Sequence, residues 1–202
     1  MPKSQVRAVF FDIGNVLLHF DAKEILRRFA FAVGRPPKGL NELLWAGRLV
    51  DRLERGKLSS RHLYKAFQDL GYSGTYPEFR GLWCGIFTLD RPTEKLLERT
   101  ARKVPVYLLS NTNELHYEHI KKSYSFPGRT RGALLSHRLG VRKPEAAIYE
   151  AALRRARVLP QEALFIDDLP KNVAGARRSG LQAVLYRGAK NLARSLRARG
   201  VL

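Results

Sequence analysis

The sequence predicts an α/β fold in which a parallel β-sheet is interrupted, after its first strand, by a block of helices. Two observations carry this prediction. From about residue 104 onward, apolar strand-like runs alternate with helical patterns, the order that parallel sheets with right-handed crossovers produce. Between the first strand and that alternation, residues 19–90 show helical periodicity, as expected of a helical insert whose ends lie close together.

Taken in order, the first element is the stretch 6–17, where an apolar run broken only by Arg7 stops at Asp12 and Gly14 and Asn15 allow a turn. Such a run reads as a strand buried on both faces, with Asp12 at its carboxyl end. Asp21 is a suitable N-cap for a helix over 22–33, with Ile25, Leu26, Phe29 and Val33 at helical spacing. Gly34 and Pro36-Pro37 end it. Further helices are predicted over 39–54, 60–70 and 77–86, punctuated by Gly56, Gly71 and Gly74.

A helix opening at Arg91-Pro92-Thr93 leads to a strand over 104–109, and a helix over 113–122 follows. Residues 132–136 predict a short strand, and Pro144 a helix start running to 157. The strand 163–166 ends in Asp167-Asp168; helix 170–179, strand 182–186 and a basic helix over 189–199 complete the pattern. The sequence shows no internal repeat.

With 202 residues, 45% of them hydrophobic and 27% charged, the chain can bury a sizeable core. Its single cysteine, Cys84, excludes an intramolecular disulfide and a cysteine-based metal cluster, and points to a cytoplasmic setting. The apolar stretch near residue 6 is too short for a signal peptide or a membrane span. Lys and Arg number 37 against 18 Asp and Glu, a formal charge of +19. That excess favours anionic partners, including phosphorylated metabolites and nucleic acid. The basic residues are scattered over most predicted helices, and no compact basic motif matches a nucleic-acid docking module.

In a parallel sheet all strand carboxyl ends share one edge, where ligands bind. Asp12, Ser110-Asn111-Thr112 and Asp167-Asp168 therefore converge there, and Lys143 joins them from a loop. Each alone has an ordinary reading: a turn residue, a helix cap, a solvated lysine. Adjacent carboxylates at a buried strand end are the exception, since they repel unless a cation or hydrogen bonds compensate. Together the groups suit phosphoryl transfer. Carboxylates hold a hard cation such as Mg²⁺, an aspartate can attack phosphorus, and Ser110, backbone N–H groups near Asn111 and Lys143 can hold phosphate oxygens.

The segments Phe-Phe-Asp-Ile-Gly-Asn-Val-Leu, Leu-Leu-Ser-Asn-Thr-Asn, Arg-Lys-Pro-Glu and Phe-Ile-Asp-Asp-Leu-Pro-Lys-Asn-Val, in that order over residues 10–173, resemble the four motifs of the haloacid dehalogenase superfamily. The Asp-x-Gly-Asn-Val form is most similar to the branch that includes bacterial α-glucose-1-phosphate phosphatases. The resemblance implies a Rossmann-like core (1–18 and 91–202), a small helical cap (19–90) and Mg²⁺-dependent phosphomonoester hydrolysis of a small phosphorylated metabolite, a sugar phosphate among the options. It makes Asp12 nucleophile and metal ligand, Ser110 and Asn111 phosphate binders, Lys143 the residue that orients the phosphate, and Asp167 and Asp168 metal ligands.

One position departs from that pattern. Most phosphatases of the superfamily carry a second Asp two residues after the nucleophile, where it handles the leaving-group proton; here Gly14 stands there, with only a backbone carbonyl to offer the metal. His19, Glu54 and His62 are the candidate replacements. Two other functions stay open on the sequence: a metal-independent 2-haloacid dehalogenase, which also tolerates Gly at that position but has little use for Asp167-Asp168, and a non-catalytic binding protein with an anionic partner.

Overall fold

The computed structural model describes residues 5–46 and 48–202. Its main sheet contains β1 (Ala8–Phe11), β4 (Val106–Ser110), β5 (Ala133–Leu135), β6 (Ala163–Asp167) and β7 (Gln182–Leu185). The five strands are ordered β5-β4-β1-β6-β7 and all pairings are parallel. β1 is central, so Ala8, Val9, Phe10 and Phe11 are all buried. Alternation divides them between the two faces. Val9 and Phe11 join the layer containing Leu97, Ile120 and Leu196, and Ala8 and Phe10 join the layer containing Ile148, Tyr149 and Val173.

The helices of those layers are α6 (Arg91–Ala101), α7 (Glu114–Ser123) and α11 (Ala189–Arg197) on one face, and α9 (Ala146–Ala156) and α10 (Pro170–Arg178) on the other. Sequence signals account for several of their starts. Asp90 caps α6 by accepting from Thr93 N at 2.9 Å, and Asn113 caps α7 by accepting from His116 N at 3.1 Å.

A third core lies among α1 (Ala22–Val33), α2 (Pro37–Asn41), α3 (Leu49–Glu54), α4 (Ser60–Asp69) and α5 (Tyr76–Cys84). Phe29 is fully buried at its centre, with the Phe67, Phe79, Tyr72 and Trp83 rings 4.2 to 6.1 Å away. The core closes onto α7, where His116 stacks on Trp83 at 5.4 Å and its Nε2 lies 3.1 Å from the Trp83 carbonyl.

The predicted elements needed four adjustments. The helix predicted over 39–54 is α2, a π-helical turn over Glu42–Ala46 and then α3; Arg48 takes a left-handed φ of 58°, which no continuous helix accommodates. Position 47 within it lies outside the described residues. The insert is also not wholly helical, because β3 (Thr88–Leu89) pairs antiparallel with β2 (Leu18–His19) where the chain leaves and re-enters the main sheet. Two residues are too few to register as a period of two. Ser136, predicted to end a strand, opens the short helix α8 (Ser136–Leu139). Pro144 does not start a helix: α9 begins at Ala146, and Arg142 to Glu145 form a loop over the carboxyl edge of the sheet.

Candidate active site

The site is built where β1, β4 and β6 end together. Their register sets Phe11 beside Leu108 and Ile166, so Asp12 and Asp167 emerge at one level and Ser110 one residue beyond it. Asp12 donates its backbone N–H to the Ile166 carbonyl at 2.9 Å, which extends the ladder by one bond and fixes the carboxylate at the sheet edge. Beyond it, Asn15 adopts a left-handed φ of 51°, a conformation asparagine tolerates, and the chain turns back.

Lys143 is the electrostatic centre. Its ammonium lies 2.8 Å from Asp12 Oδ1 and 2.7 Å from Asp167 Oδ2, and donates to the Leu109 carbonyl at 3.0 Å. The side chain is 1% exposed. Burial opposes its charge, but Asp12 and Asp167 outweigh burial and raise its pKa, so the ammonium stays protonated. Burial also pushes the Asp12 carboxyl up to about 7, against the pull of Lys143 and with the help of Asp167. The Asp168 carboxyl is raised by partial burial and by neighbouring Asp167.

Asp167, Asp12 and Asn111 have further partners. Asp167 Oδ1 accepts from Leu169 N at 2.8 Å and from Asn172 Nδ2 at 3.0 Å. Asp12 Oδ1 accepts from Ile13 N at 2.7 Å, which leaves Oδ2 as its oxygen without a hydrogen-bond partner among the described residues. The side chain of Asn111 clamps the Lys143 backbone, which leaves its backbone N–H, the group expected at phosphate, uninvolved in that clamp. Its Nδ2 donates to the Lys143 carbonyl at 3.0 Å and its Oδ1 accepts from Lys143 N at 2.8 Å.

Asp12, Asp167 and Asp168 each place a carboxylate oxygen within 4.8 Å of the other two, and such hard oxygen donors could hold a divalent cation. Beside them Asn172 Oδ1 is buried without a hydrogen-bond partner. A cavity of about 260 Å³ opens above, lined by Asp12, Gly14, Ser110, Asn111, Lys143 and Asp168 among the predicted residues. That is room for a phosphate and a few further atoms. Among the described residues that line the cavity there is no thiol and no histidine; the arrangement offers carboxylates beside Lys143, groups suited to carboxylate attack next to positive charge.

Of the three candidate acids, the structure brings only Glu54 to this cavity. His19 is turned to Asp90, with Nε2 3.1 Å from Oδ2, and the His62 ring sits 2.7 Å from Ser59 Oγ. Glu54 Oε2 lies 2.6 Å from Arg142 Nη2. Phe20, Arg142, Lys171 and Asn172 also line the cavity; Asn172 and Lys171 sit in the Pro-Lys-Asn-Val segment, and Arg142 directly precedes Lys143, but nothing local distinguishes Phe20.

Residues 6–180 match the sequence profile of the haloacid dehalogenase-like hydrolases. A D-ribitol-5-phosphate phosphatase of Bacteroides thetaiotaomicron is 27% identical over 186 residues, 88% of this chain and 90% of that protein. A crystal structure of a haloacid dehalogenase family enzyme from the same organism superposes with a TM-score of 0.85 at 20% identity, covering 96% of this chain and 99% of that one. A second structure of that enzyme, complexed with magnesium and inorganic phosphate, has a TM-score of 0.75 at 21% identity over 90% of this chain and 94% of that one. Among the described residues no helix is long and apolar enough to cross a membrane.

Proposed function

Since the chain belongs to the haloacid dehalogenase-like hydrolases, we propose that it is a magnesium-dependent phosphatase of a small phosphorylated metabolite, acting through an aspartyl-phosphate. The observation that carries the proposal is the buried chain Asp12–Lys143–Asp167, at 2.8 and 2.7 Å, with Asp168 beside it on the same cavity.

In this reading Asp12 Oδ2 is the attacking atom, because Oδ1 is held by Ile13 N–H and Lys143. All three N–H bonds of the Lys143 ammonium have a partner already. Its contribution to a bound phosphate is therefore charge, which also pulls the Asp12 carboxyl down, toward the ionised form that attacks, against the burial that raises it. Ser110 and the backbone N–H of Asn111 meet the phosphate oxygens, while the Asn111 side chain holds Lys143 in register. Asp12, Asp167, Asp168 and the Gly14 carbonyl would hold Mg²⁺, which when bound supplies positive charge opposite the phosphate.

The same reading divides the chain into a catalytic core of 1–18 and 91–202 and a cap of 19–90 that selects the substrate, and places the protein in the cytoplasm, where the buried free thiol of Cys84 is stable. A sugar or polyol phosphate is the favoured substrate: the D-ribitol-5-phosphate phosphatase matched along 88% of the chain supports it, as does the Asp-x-Gly-Asn-Val likeness to α-glucose-1-phosphate phosphatases. The test is release of phosphate from p-nitrophenyl phosphate. It is expected to require Mg²⁺ and to vanish in Asp12→Asn; equal release in the variant, or in excess chelator, overturns the proposal.

A further inference from the structure

The reaction proposed above leaves one proton without a donor. Gly14 has no side chain, and a Cβ there would lie 2.8 Å from the Phe20 ring, so the space on that side of Asp12 is already filled. The ionisable groups lining the cavity are Asp12, Glu54, Arg142, Lys143, Asp168 and Lys171. Asp12 and Asp168 belong to the cation cluster, Lys143 has every N–H engaged, and an arginine does not give up its proton. Lys171 is exposed. Glu54 alone is an enclosed carboxyl outside the cluster.

We propose that Glu54, at the end of α3, is the general acid that protonates the leaving oxygen, in place of the acid absent at Gly14. The proposal rests on the phosphatase reading. As the bond from Asp12 Oδ2 to phosphorus forms, the bond from phosphorus to the ester oxygen breaks and its electron pair stays on that oxygen. The oxygen takes the Glu54 proton and departs as an alcohol. Glu54 remains as a carboxylate beside Arg142 and regains a proton from solvent before the next turnover.

Three features of the surroundings fit this role. The Glu54 side chain is 17% exposed, reaching the cavity from the helical insert and therefore from the side opposite Asp12 and the sheet. Its Oε2 is buried and pairs with Arg142 at 2.6 Å, without hydrogen-bond geometry to any donor among the described residues. Around it stand Arg142 and Lys143 from the loop before α9, Asp51 from its own helix and Lys171 from the first turn of α10. Burial raises the Glu54 pKa, and the opposing pull of Arg142 and Lys143 does not cancel it; Asp51 adds to the rise and Lys171 subtracts. A proton is thereby held closer to working pH. Arg142 is itself anchored, with Nη1 2.7 Å from Asp51 Oδ1, and so is in place to hold the carboxylate once the proton has gone.

The experiment compares kcat/KM for p-nitrophenyl phosphate, whose leaving group departs without a proton, with that for a simple alkyl phosphate, in the Mg²⁺-loaded protein. This parameter reports the steps up to leaving-group release. Glu54→Gln is expected to lower the alkyl-to-aryl ratio by about 10² to 10⁴ and to remove the alkaline limb specific to the alkyl ester; Glu54→Asp recovers part of it. Asp51→Asn, which disturbs the same ion pairs but keeps the carboxyl, lowers the ratio far less than Glu54→Gln does. Equal losses on both esters in Glu54→Gln, or a ratio that falls as far in Asp51→Asn, overturn the assignment. A further arm needs no variant: across alkyl and aryl esters, wild-type kcat/KM depends weakly on leaving-group basicity when the oxygen is protonated, and a steep dependence refutes the proposal. A wild type inert on every ester with Mg²⁺ present refutes the phosphatase reading instead.

Discussion

Replacing Lys143 with Met tests the electrostatic logic of the site before any turnover is measured. The substitution keeps most of the side-chain volume and removes the one cation, among the described residues, in contact with both Asp12 and Asp167, at 2.8 and 2.7 Å. Removing one partner of a buried pair typically costs about 3–5 kcal/mol, because a charge is left in low dielectric without compensation. For a chain of this size 1 kcal/mol moves the melting temperature by about 2–4 °C, so a drop of about 6–20 °C is expected in chelator at pH 8. The raised pKa of Lys143 means that its contribution is complete below its ordinary value of 10.5 and is lost only above it, so pH 8 reports the full effect. In Lys143→Met, Asp12 and Asp168 lose the group that lowered them, and the native state binds protons more tightly than the unfolded chain. Stability of the variant therefore falls as pH rises, and the deficit shrinks at pH 5.5. Added Mg²⁺ should narrow it as well, by binding the native cluster. A variant within 1 kcal/mol (about) of wild type at pH 8 in chelator, or a deficit that does not shrink on acidification, refutes the reasoning.

The same burial gives Asp12 a pH signature of its own. Its carboxyl is raised from 3.8 to about 7, so the metal-free protein should lose stability as pH rises through that interval, by at most about 4 kcal/mol. Asp12→Asn should flatten this slope in melting curves collected from pH 5 to 8 (about), and a slope unchanged in the variant argues against it. Phe29→Ala removes the ring around which the insert's aromatic core is packed, and urea unfolding should show a loss of about 3–5 kcal/mol. Arg55 joins Asp51 of α3 to Glu145 of the loop before α9, but its partners are 31% and 40% exposed. Arg55→Ala should therefore cost only about 1 kcal/mol or less at low salt, a difference that molar salt erases; a large, salt-insensitive loss would mean the pairing is not screened.

Much of the main sheet and its catalytic edge was legible because the governing patterns are local. Buried strands read as apolar runs, and Asp12, Ser110 and Asp167 each close one, so a parallel topology brings them together without further information. Lys143 was legible only through its motif: nothing about a lysine in a loop announces that it is 1% exposed between two carboxylates. Other features depend on how the insert packs. The break in the helix predicted over 39–54 follows from Arg48 in a left-handed conformation, which local periodicity does not reveal. Glu54, His19 and His62 were equivalent candidates in the sequence, and they separate only when α3 is seated against the loop that carries Arg142.

That seating gives the ion pairs of α3 a meaning beyond stability. Arg142 stands next to Lys143 in the chain and holds Asp51 and Glu54 at 2.7 and 2.6 Å, while Arg55 reaches back from α3 to Glu145. One four-residue loop therefore carries both the cation that neutralises the nucleophile's edge and the contacts that bring Glu54 over it. In a pattern with an acid at position 14, nucleophile and acid would share one turn and stay together whatever the insert does. Here Phe20 fills that space, and in the proposed mechanism the acid, Glu54, comes from a separate helical layer. Its place relative to Asp12 therefore depends on how α3 seats against the Arg142 loop, and the Glu54–Arg142 contact at 2.6 Å, rather than the Asp51 pairing beside it, is the one that sets it.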